Sequence, residues 1–222
     1  MAVVMGQYGG RGVHGHVVEV LARRVVAGAS TLDPVALQGE LDVSLSVVRE
    51  SLKVLAAKGM VDSRQKRGTF VRPREEWNLL DADVLRWQFE AGPDQRLLDE
   101  LQEVRVIIEP AAARLAATRR SEADLAVMDR AVGQMAASPV DADVLFHRAL
   151  LGASGNGLLR RMEIILEPGL AARDRLVHSH PVASAVGLHR AVLEAVREGD
   201  AAQAELAMRA LLQRAAEDVA RL

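Results

Sequence analysis

Asp143 and His147 are four residues apart in a segment, 141–153, whose residue pattern predicts a helix. Residues at positions i and i+4 lie on the same side of a helix, so this carboxylate and this imidazole could share a cation. His189 lies on a later predicted helix that could return to the same cavity. The alternative is structural: an aspartate near a helix N-terminus interacts with the helix dipole, and His147 then hydrogen-bonds to Asp143.

The same residues superficially suggest a metal-dependent hydrolase. However, neither a further strong ligand with a general base nor a nucleophile motif, P-loop or dinucleotide fingerprint is identifiable. We therefore expect the chain not to be an enzyme. One aspartate and two histidines do not distinguish zinc, nickel and manganese. His178 and His180 flank a turn before Pro181, and we interpret them as loop residues rather than ligands.

Two other segments contain residue types that contact nucleic acid. Residues 43–52 are typical of the turn and start of a recognition helix, and residues 67–71 are typical of the return strand of a β-wing. Ser44 and Ser46 lie near the helix N-terminus and suit phosphate contacts, because the backbone amides there are free. Arg49 can reach a guanine edge or a phosphate.

The predicted DNA contacts are completed by four more residues, Lys53, Arg67, Gly68 and Thr69. Glycine at the wing lets the backbone pass close to a phosphate or the minor groove. The alternative for Arg49 is an ion pair with Glu50 or Glu40 on a solvated surface, where such pairs are common and weak.

These segments belong to a predicted small domain over residues 13–73. Helical spacing, together with capping residues, predicts three helices and two short strands joined by a basic tip, over 13–27, 34–41, 45–58, 60–61 and 69–71. This order of elements predicts a winged helix-turn-helix, a DNA-reading module. The glycine-rich residues 1–12 are expected to form a flexible arm.

Helical patterns dominate the rest of the chain. Residues 74–80 are the predicted linker, and residues 81–222 the predicted helical domain, with helices over 83–90, 94–117, 121–137, 141–153, 157–177, 182–198 and 201–222. A bundle of six or seven helices would bury these amphipathic faces. The expected fold class is therefore mainly α.

Composition separates the two predicted domains further. Residues 11–74 contain 11 Lys and Arg against 6 Asp and Glu, a net charge of +5, whereas residues 75–222 contain 17 against 24, a net charge of −7. The basic part suits phosphates and the acidic part does not. The chain has no cysteine, no signal-peptide pattern and no apolar run long enough for a membrane span, so we expect a cytoplasmic protein without membrane partners.

The sequence resembles the GntR superfamily of bacterial transcription regulators, in its FadR branch with an FCD effector domain. The matching residues span nearly the whole chain and are 43–52, 59–71, 103–105 with Glu109, 116–117, 146–147, 155–156, His189 and 198–200. Residues 77–87 look like the linker of regulators that control sugar-acid catabolism. The resemblance implies a homodimer that binds a palindromic operator, with an effector in the helical domain changing the spacing of the DNA-binding heads.

The resemblance also implies site residues. In such relatives the positions of Asp143, His147 and His189, together with a histidine in the last helix, bind a divalent metal, but here the fourth position is Leu211. Water or an effector carboxylate could complete the shell. Arg105 matches an arginine that would clamp a carboxylate, although a salt bridge to Glu109 is the alternative. The last predicted effector residue, Asn156, is expected either to shape a helix break or to line the pocket.

Two positions depart from the family pattern. Leu45 and Val35 stand where relatives have DNA-contacting arginines, so either the operator differs or the affinity is low. We expect a repressor of a neighbouring catabolic operon, with a sugar acid or hydroxy acid as effector. The alternative is a helical interaction protein with a degenerate DNA head.

Overall fold

The computed structural model describes residues 12–64, 68–92, 95–177 and 186–219. The chain divides into two compact units, Met1–Gly92 and Pro93–Leu222. Both units are mainly helical, as predicted. Among the described residues, no helix has both the length and the apolar content needed to cross a membrane.

The first unit contains the winged helix-turn-helix that the sequence predicted. Its elements are α1 (Val13–Val26), β1 (Thr31–Leu32), α2 (Pro34–Leu41), α3 (Leu45–Ala57), β2 (Val61–Arg64), β3 (Gly68–Val71), a 3-10 turn (Arg74–Glu76) and α4 (Ala82–Glu90). α1 and α2 both pack against α3. The core between them is aliphatic and includes Leu21, Val48 and Leu55, all fully buried.

Local signals explain where the recognition helix α3 begins and ends. The side chain of Ser44 caps its first turn by accepting a hydrogen bond from the Val47 amide. Gly59 ends it in a left-handed conformation, φ 75°, and a Cβ there would lie 2.5 Å from the Glu76 carbonyl oxygen. Glycine is therefore required at this position for two independent reasons.

The wing is a three-stranded sheet in the order β1-β3-β2. β2 and β3 form the antiparallel hairpin, with Val61 opposite Val71, and β1 adds to the other edge of β3, with Thr31 opposite Phe70. β1 was not predicted from the sequence. This strand has only two residues, and its partner lies almost forty residues further along the chain, so no local pattern indicates it.

α4 belongs to the first unit, whereas the sequence placed it in the helical domain. Residues 81–90 were expected to belong to the helical domain, but α4 packs against α1 within the first unit. The Trp87 ring is buried there, and its Nε1 donates to Glu19 Oε2 at 2.6 Å. Arg86 Nη2 donates to the other oxygen of Glu19 at 2.7 Å. These contacts fix α4 to the DNA-reading module.

The second unit, in its described residues, has seven helices; the prediction of six or seven also counted 83–90 and treated 157–177 as one helix. They are α5 (Gln95–Arg119), α6 (Glu122–Gln134), α7 (Pro139–Ala153), α8 (Gly157–Arg161), α9 (Glu163–Val177), α10 (Val186–Glu198) and α11 (Ala201–Val219). A capping box of Ser121 and Asp124 begins α6, as the sequence indicated. The single helix predicted over 157–177 is interrupted at Met162, where the amide bonds to the Leu159 carbonyl three residues back.

The long helix α5 organises this unit. It packs against α7, α10 and α11, and its C-terminal half presents four fully buried alanines to them, Ala112, Ala113, Ala116 and Ala117. Small side chains let neighbouring helices approach closely. Before these alanines, the middle of α5 contributes two buried polar residues, Arg105 and Glu109.

Candidate functional site

Five buried polar side chains meet inside the second unit, and we refer to them as the buried cluster. Arg105 and Glu109 lie on α5, Asp143 and His147 on α7, and His189 on α10. Each of the first two pairs has i, i+4 spacing and so occupies one helix face. The cluster brings together the predicted metal ligands and the predicted effector arginine.

Glu109 lies at the centre of this cluster. Arg105 Nε donates to Glu109 Oε1 at 2.7 Å, which is the salt bridge considered as the alternative for Arg105. On the other side, His147 Nδ1 lies 2.7 Å from Glu109 Oε2 in an ion-pair contact. This second contact was missed by sequence reasoning, because it depends on how α5 and α7 are rotated against each other.

Asp143 connects the two histidines. Its Oδ1 lies 2.9 Å from His189 Nε2 and 3.7 Å from His147 Nε2. The Phe146 ring is edge-on to both imidazoles, with ring centroids 5.7 Å from His147 and 4.9 Å from His189. The polar atoms are therefore held against an apolar wall that excludes water and strengthens electrostatic interactions.

The charges of the cluster shift its pKa values in opposite directions. Burial opposes ionisation of Glu109, but Arg105 and His147 outweigh burial and lower the pKa of the Glu109 carboxyl. Burial also disfavours a charged imidazole, yet Glu109 and Asp143 raise the pKa of His147 above its ordinary value. The cluster therefore favours an ionised Glu109 beside a protonated His147.

Asp143, His147 and His189 could hold a metal ion. Each offers one ligand atom, and these atoms all lie within 4.8 Å of one another. Two imidazole nitrogens and one carboxylate oxygen are suitable ligands for a divalent transition metal. Glu109 contacts His147 through Nδ1, and carboxylate partners of this kind commonly orient metal-binding histidines. His147 Nε2 then lies between Asp143 Oδ1, at 3.7 Å, and Arg105 Nη2, at 3.4 Å.

Leu211 lies level with this group. α10 and α11 are joined by the turn at Gly199–Asp200 and pack together as an antiparallel pair. His189 and Leu211 are each eleven residues from Asp200, so they stand at the same height along the pair. Leu211 is buried and offers no ligand atom, so the cluster has three candidate ligands.

Arg105 retains unused hydrogen-bonding capacity. Its side chain is 1% exposed, and among the described residues its Nη1 atom has no hydrogen-bond partner. Buried donors are almost always paired, so such an atom points to a group that is added by a ligand. Asn156, the other predicted effector residue, caps α8 by accepting from the Leu158 and Leu159 amides, which matches its helix-breaking interpretation.

The predicted DNA contacts begin with α3. Arg49 is exposed, and both acids considered as its alternative partners are paired elsewhere, Glu40 with Arg24 and Glu50 with Lys53. Lys53 itself is exposed. The hydroxyls of Ser44 and Ser46 are also at the surface, although Ser44 uses its oxygen as the helix cap.

The wing agrees only in part with the predicted contacts. Gly68 is exposed and has a left-handed φ of 82°, as a close-passing wing backbone allows. Thr69 requires a correction: its side chain is buried, with Oγ1 3.0 Å from Ser63 Oγ, so it stabilises the hairpin instead of facing DNA. Arg67 lies outside the described residues, as do His178 and His180.

The two departures from the family pattern are both at helix starts. Val35 lies in the first turn of α2 and is 67% exposed, and Leu45 is the first residue of α3 and is half-buried. Neither side chain can donate to a phosphate.

A winged helix with an exposed basic recognition helix, together with a helical unit enclosing a polar cluster, defines a ligand-responsive DNA-binding regulator. Comparison with protein families assigns the same two parts. The model described as "Bacterial regulatory proteins, gntR family" matches residues 16–71, and the FCD domain model matches residues 100–214. The chain therefore belongs to the GntR family of transcription regulators and carries an FCD domain.

Curated relatives cover most of the chain. The galactonate operon transcriptional repressor of Escherichia coli K12 is 34% identical over 202 residues, which cover 86% of this chain and 88% of that protein. The HTH-type transcriptional regulator LutR of Bacillus subtilis is 35% identical over 190 residues, which cover 80% and 85% of the two chains.

Solved structures show the same fold. The structure of Lar, which controls expression of the Listeria monocytogenes agr system, matches with a TM-score of 0.62 at 18% identity, over 98% of this chain and 100% of that one. E. coli McbR/YncC matches with a TM-score of 0.53, also at 18% identity, over 95% and 98% of the two chains. At this identity the likeness concerns the fold alone.

Proposed function

We propose that this regulator binds a palindromic operator as a homodimer and represses a neighbouring catabolic operon until a small carboxylate enters the buried cluster. The observation that carries the proposal is the buried guanidinium of Arg105, whose Nη1 atom has no hydrogen-bond partner among the described residues. The effector class is a sugar acid or hydroxy acid. A relative supports this class, since it is the repressor of a galactonate operon.

Operator binding is proposed to depend on Arg49, with Ser44, Ser46, Lys53 and the wing contacting phosphates. A bidentate contact between arginine and guanine discriminates bases by about 1–3 kcal/mol. We therefore expect Arg49→Ala to weaken specific binding by about 10- to 100-fold. Loss of the phosphate contacts made by the other residues would weaken binding to all sequences about equally and would reduce its salt dependence.

This expectation can be tested by gel-shift titration at fixed salt, on operator DNA selected from random sequence. Arg130→Ala is the matched control, because Arg130 is an exposed arginine on α6 of the second unit. Equal operator affinities of the wild type and Arg49→Ala would contradict the assigned role.

The effector proposal follows from charge. A metal ion bound by His147 and His189 would displace the proton that the metal-free cluster favours on His147. With both histidines neutral, the cluster has a formal charge of −1, from Arg105, Glu109 and Asp143. A bound divalent cation would supply two positive charges and Lewis acidity, leaving a net +1 that suits one carboxylate. Arg105 would then bind the carboxylate through Nη1, because its Nε donates to Glu109 and its Nη2 lies 3.4 Å from His147 Nε2.

A thermal-shift screen of organic acids tests the effector class, because binding to the folded state alone raises the melting temperature. Arg105→Lys keeps the positive charge beside Glu109 but loses the planar fork. We expect one class of hydroxy acid or sugar acid to stabilise the wild type and to stabilise Arg105→Lys far less. No response of the wild type to any acid, or equal responses of both proteins, would overturn the proposal.

The metal proposal is tested separately, on protein purified without chelators or a nickel column. We expect close to one divalent ion per chain after zinc is added, and loss of that ion in His189→Asn. A metal content that stays far below one equivalent after zinc addition would exclude the site.

A further inference from the structure

The first residue of the recognition helix α3 is a leucine. Leu45 directly follows the capping Ser44, and its side chain is half-buried. Its apolar neighbours Val43 and Val47 pack against the core of the first unit, and among the described residues Leu45 is not part of that packing. An apolar side chain at this end of the helix is therefore partly open to the surface.

Helix capping gives no reason for a leucine at this position. Ser44 supplies the cap by accepting a hydrogen bond from the Val47 amide. The apolar contact that often fixes a helix start joins the residue before the cap to the fourth helical residue. Here those two residues are Val43 and Val48, one packed against the core and the other part of it. These residues account for the start of α3 without Leu45.

Leu45 shares a helix face with Arg49. The two residues are four apart, so they lie on the same side of α3, separated by about 6 Å along its axis. Leucine side chains in a helix lean towards its N-terminus. The N-terminal residues of a recognition helix contact base edges in the major groove. A helix that brings Arg49 to a guanine would therefore also bring Leu45 to a nearby base.

The chemistry of leucine selects which base this is. In the major groove thymine presents a C5-methyl group, whereas the other bases present hydrogen-bond donors and acceptors at their edges. An apolar side chain would leave those polar groups without a partner, but it gains from covering a methyl group. Successive base pairs are about 3.4 Å apart, so the separation of about 6 Å between Leu45 and Arg49 corresponds to about two base pairs.

We propose that Leu45 is a specificity-determining residue that packs on the C5-methyl group of a thymine, within about two base pairs of the guanine contacted by Arg49. The inference rests on the proposed function, which places α3 in the major groove of the operator. It adds the base that the recognition helix prefers beside that guanine.

The test uses operator DNA selected from random sequence, in which single thymines are replaced with deoxyuridine. Deoxyuridine keeps the hydrogen-bonding groups of thymine and lacks only the methyl group. In gel-shift titrations of the full chain at fixed salt, one such replacement in each half-site should weaken wild-type binding by about 3- to 5-fold, as expected for one methyl group. That thymine should lie within about two base pairs of the guanine whose substitution no longer affects Arg49→Ala.

Variants assign the methyl contact to one side chain. Leu45→Ala should bind the thymine operator as weakly as the wild type binds the deoxyuridine operator, and it should not respond to the replacement. Leu45→Met keeps an apolar side chain of similar volume and should retain the response. Val35→Ala is the matched control, because Val35 is an exposed apolar residue at the start of α2 in the same module, and it should respond like the wild type. Melting temperatures measured by circular dichroism should stay constant in all variants.

Three results would overturn the inference: no thymine at which the replacement weakens wild-type binding, equal responses of the wild type and Leu45→Ala, or loss of the response in Val35→Ala. Each of these would leave operator binding itself intact. A selection that enriches no DNA sequence would instead contradict the proposed function, and this inference with it.

Discussion

Glu109→Gln is the substitution that most directly tests how the buried cluster is balanced. The variant keeps the shape of the side chain and removes its charge. It leaves Arg105 and a protonated His147 buried with Asp143 as the remaining carboxylate. Removing one partner of a buried ion pair costs about 3–5 kcal/mol. For a chain of this size, each kcal/mol lowers the melting temperature by about 2–4 °C, so we expect a decrease of roughly 6–20 °C.

The assay separates the two units. Both tryptophans of the chain, Trp77 and Trp87, lie in the first unit, so fluorescence during urea unfolding reports that unit. Far-ultraviolet circular dichroism reports the helices of both units. We expect Glu109→Gln to shift the dichroism transition much more than the fluorescence transition.

A second variant tests the cause. Adding Arg105→Met to Glu109→Gln removes the unpaired cation, so the double variant should be more stable than Glu109→Gln alone. A Glu109→Gln protein within about 1 kcal/mol of the wild type would refute the reasoning, because the penalty of an uncompensated buried charge would then be missing. A double variant without any recovery would refute the role of Arg105.

Three further outcomes follow from single positions. Gly59→Ala should destabilise the first unit more than Gly28→Ala, as measured by urea unfolding. Both glycines have a left-handed φ, but of the two only Gly59 would place the new Cβ against a backbone oxygen, at 2.5 Å. Burial opposes ionisation of Asp83, but Lys58 and Arg86 outweigh burial and lower the pKa of the Asp83 carboxyl below its ordinary 3.8. The ionised carboxylate therefore stabilises the folded state fully above that pH, and this stabilisation is lost as the pH falls through the lower pKa of the folded state. Acid unfolding followed by fluorescence should therefore begin at similar pH but depend less steeply on pH in Asp83→Asn, and equal slopes would contradict the linkage. Leu211→His should tighten zinc binding in a chelator competition, since this position lies level with His189, and unchanged affinity would place Leu211 away from the cluster.

Much of the DNA-reading module follows from local sequence signals. The bounds of α3 are set by a capping serine and a left-handed glycine, which act within a few residues and were therefore predictable. β1 was missed because its stability comes from pairing with a distant strand. The domain assignment of α4 differed for a similar reason, since the contacts of Trp87 with Glu19 join residues that are far apart in the chain.

The parts of the buried cluster that lie within a single helix were predictable, because helical spacing determines which residues share one face of that helix. The i, i+4 spacing placed Asp143 beside His147 and Arg105 beside Glu109, and the structure contains both pairs. The approach of Glu109 to His147 depends on the rotation of α5 against α7, which no pattern within either helix specifies. Thr69 shows that residue type alone does not identify a contact. A threonine suits a phosphate contact, but in β3 the Thr69 side chain is buried and lies beside Ser63 on the neighbouring strand.

The four buried alanines of α5 and the two buried polar residues before them differ in which substitutions they tolerate. Where Ala112, Ala113, Ala116 and Ala117 meet the surrounding helices, any larger side chain must push those helices apart. Arg105 and Glu109 precede this stretch, in the part of the helix that supplies the buried polar groups. We therefore expect substitutions of Arg105 and Glu109 to change the proposed effector preference, whereas the alanine stretch keeps the packing of the surrounding helices unchanged.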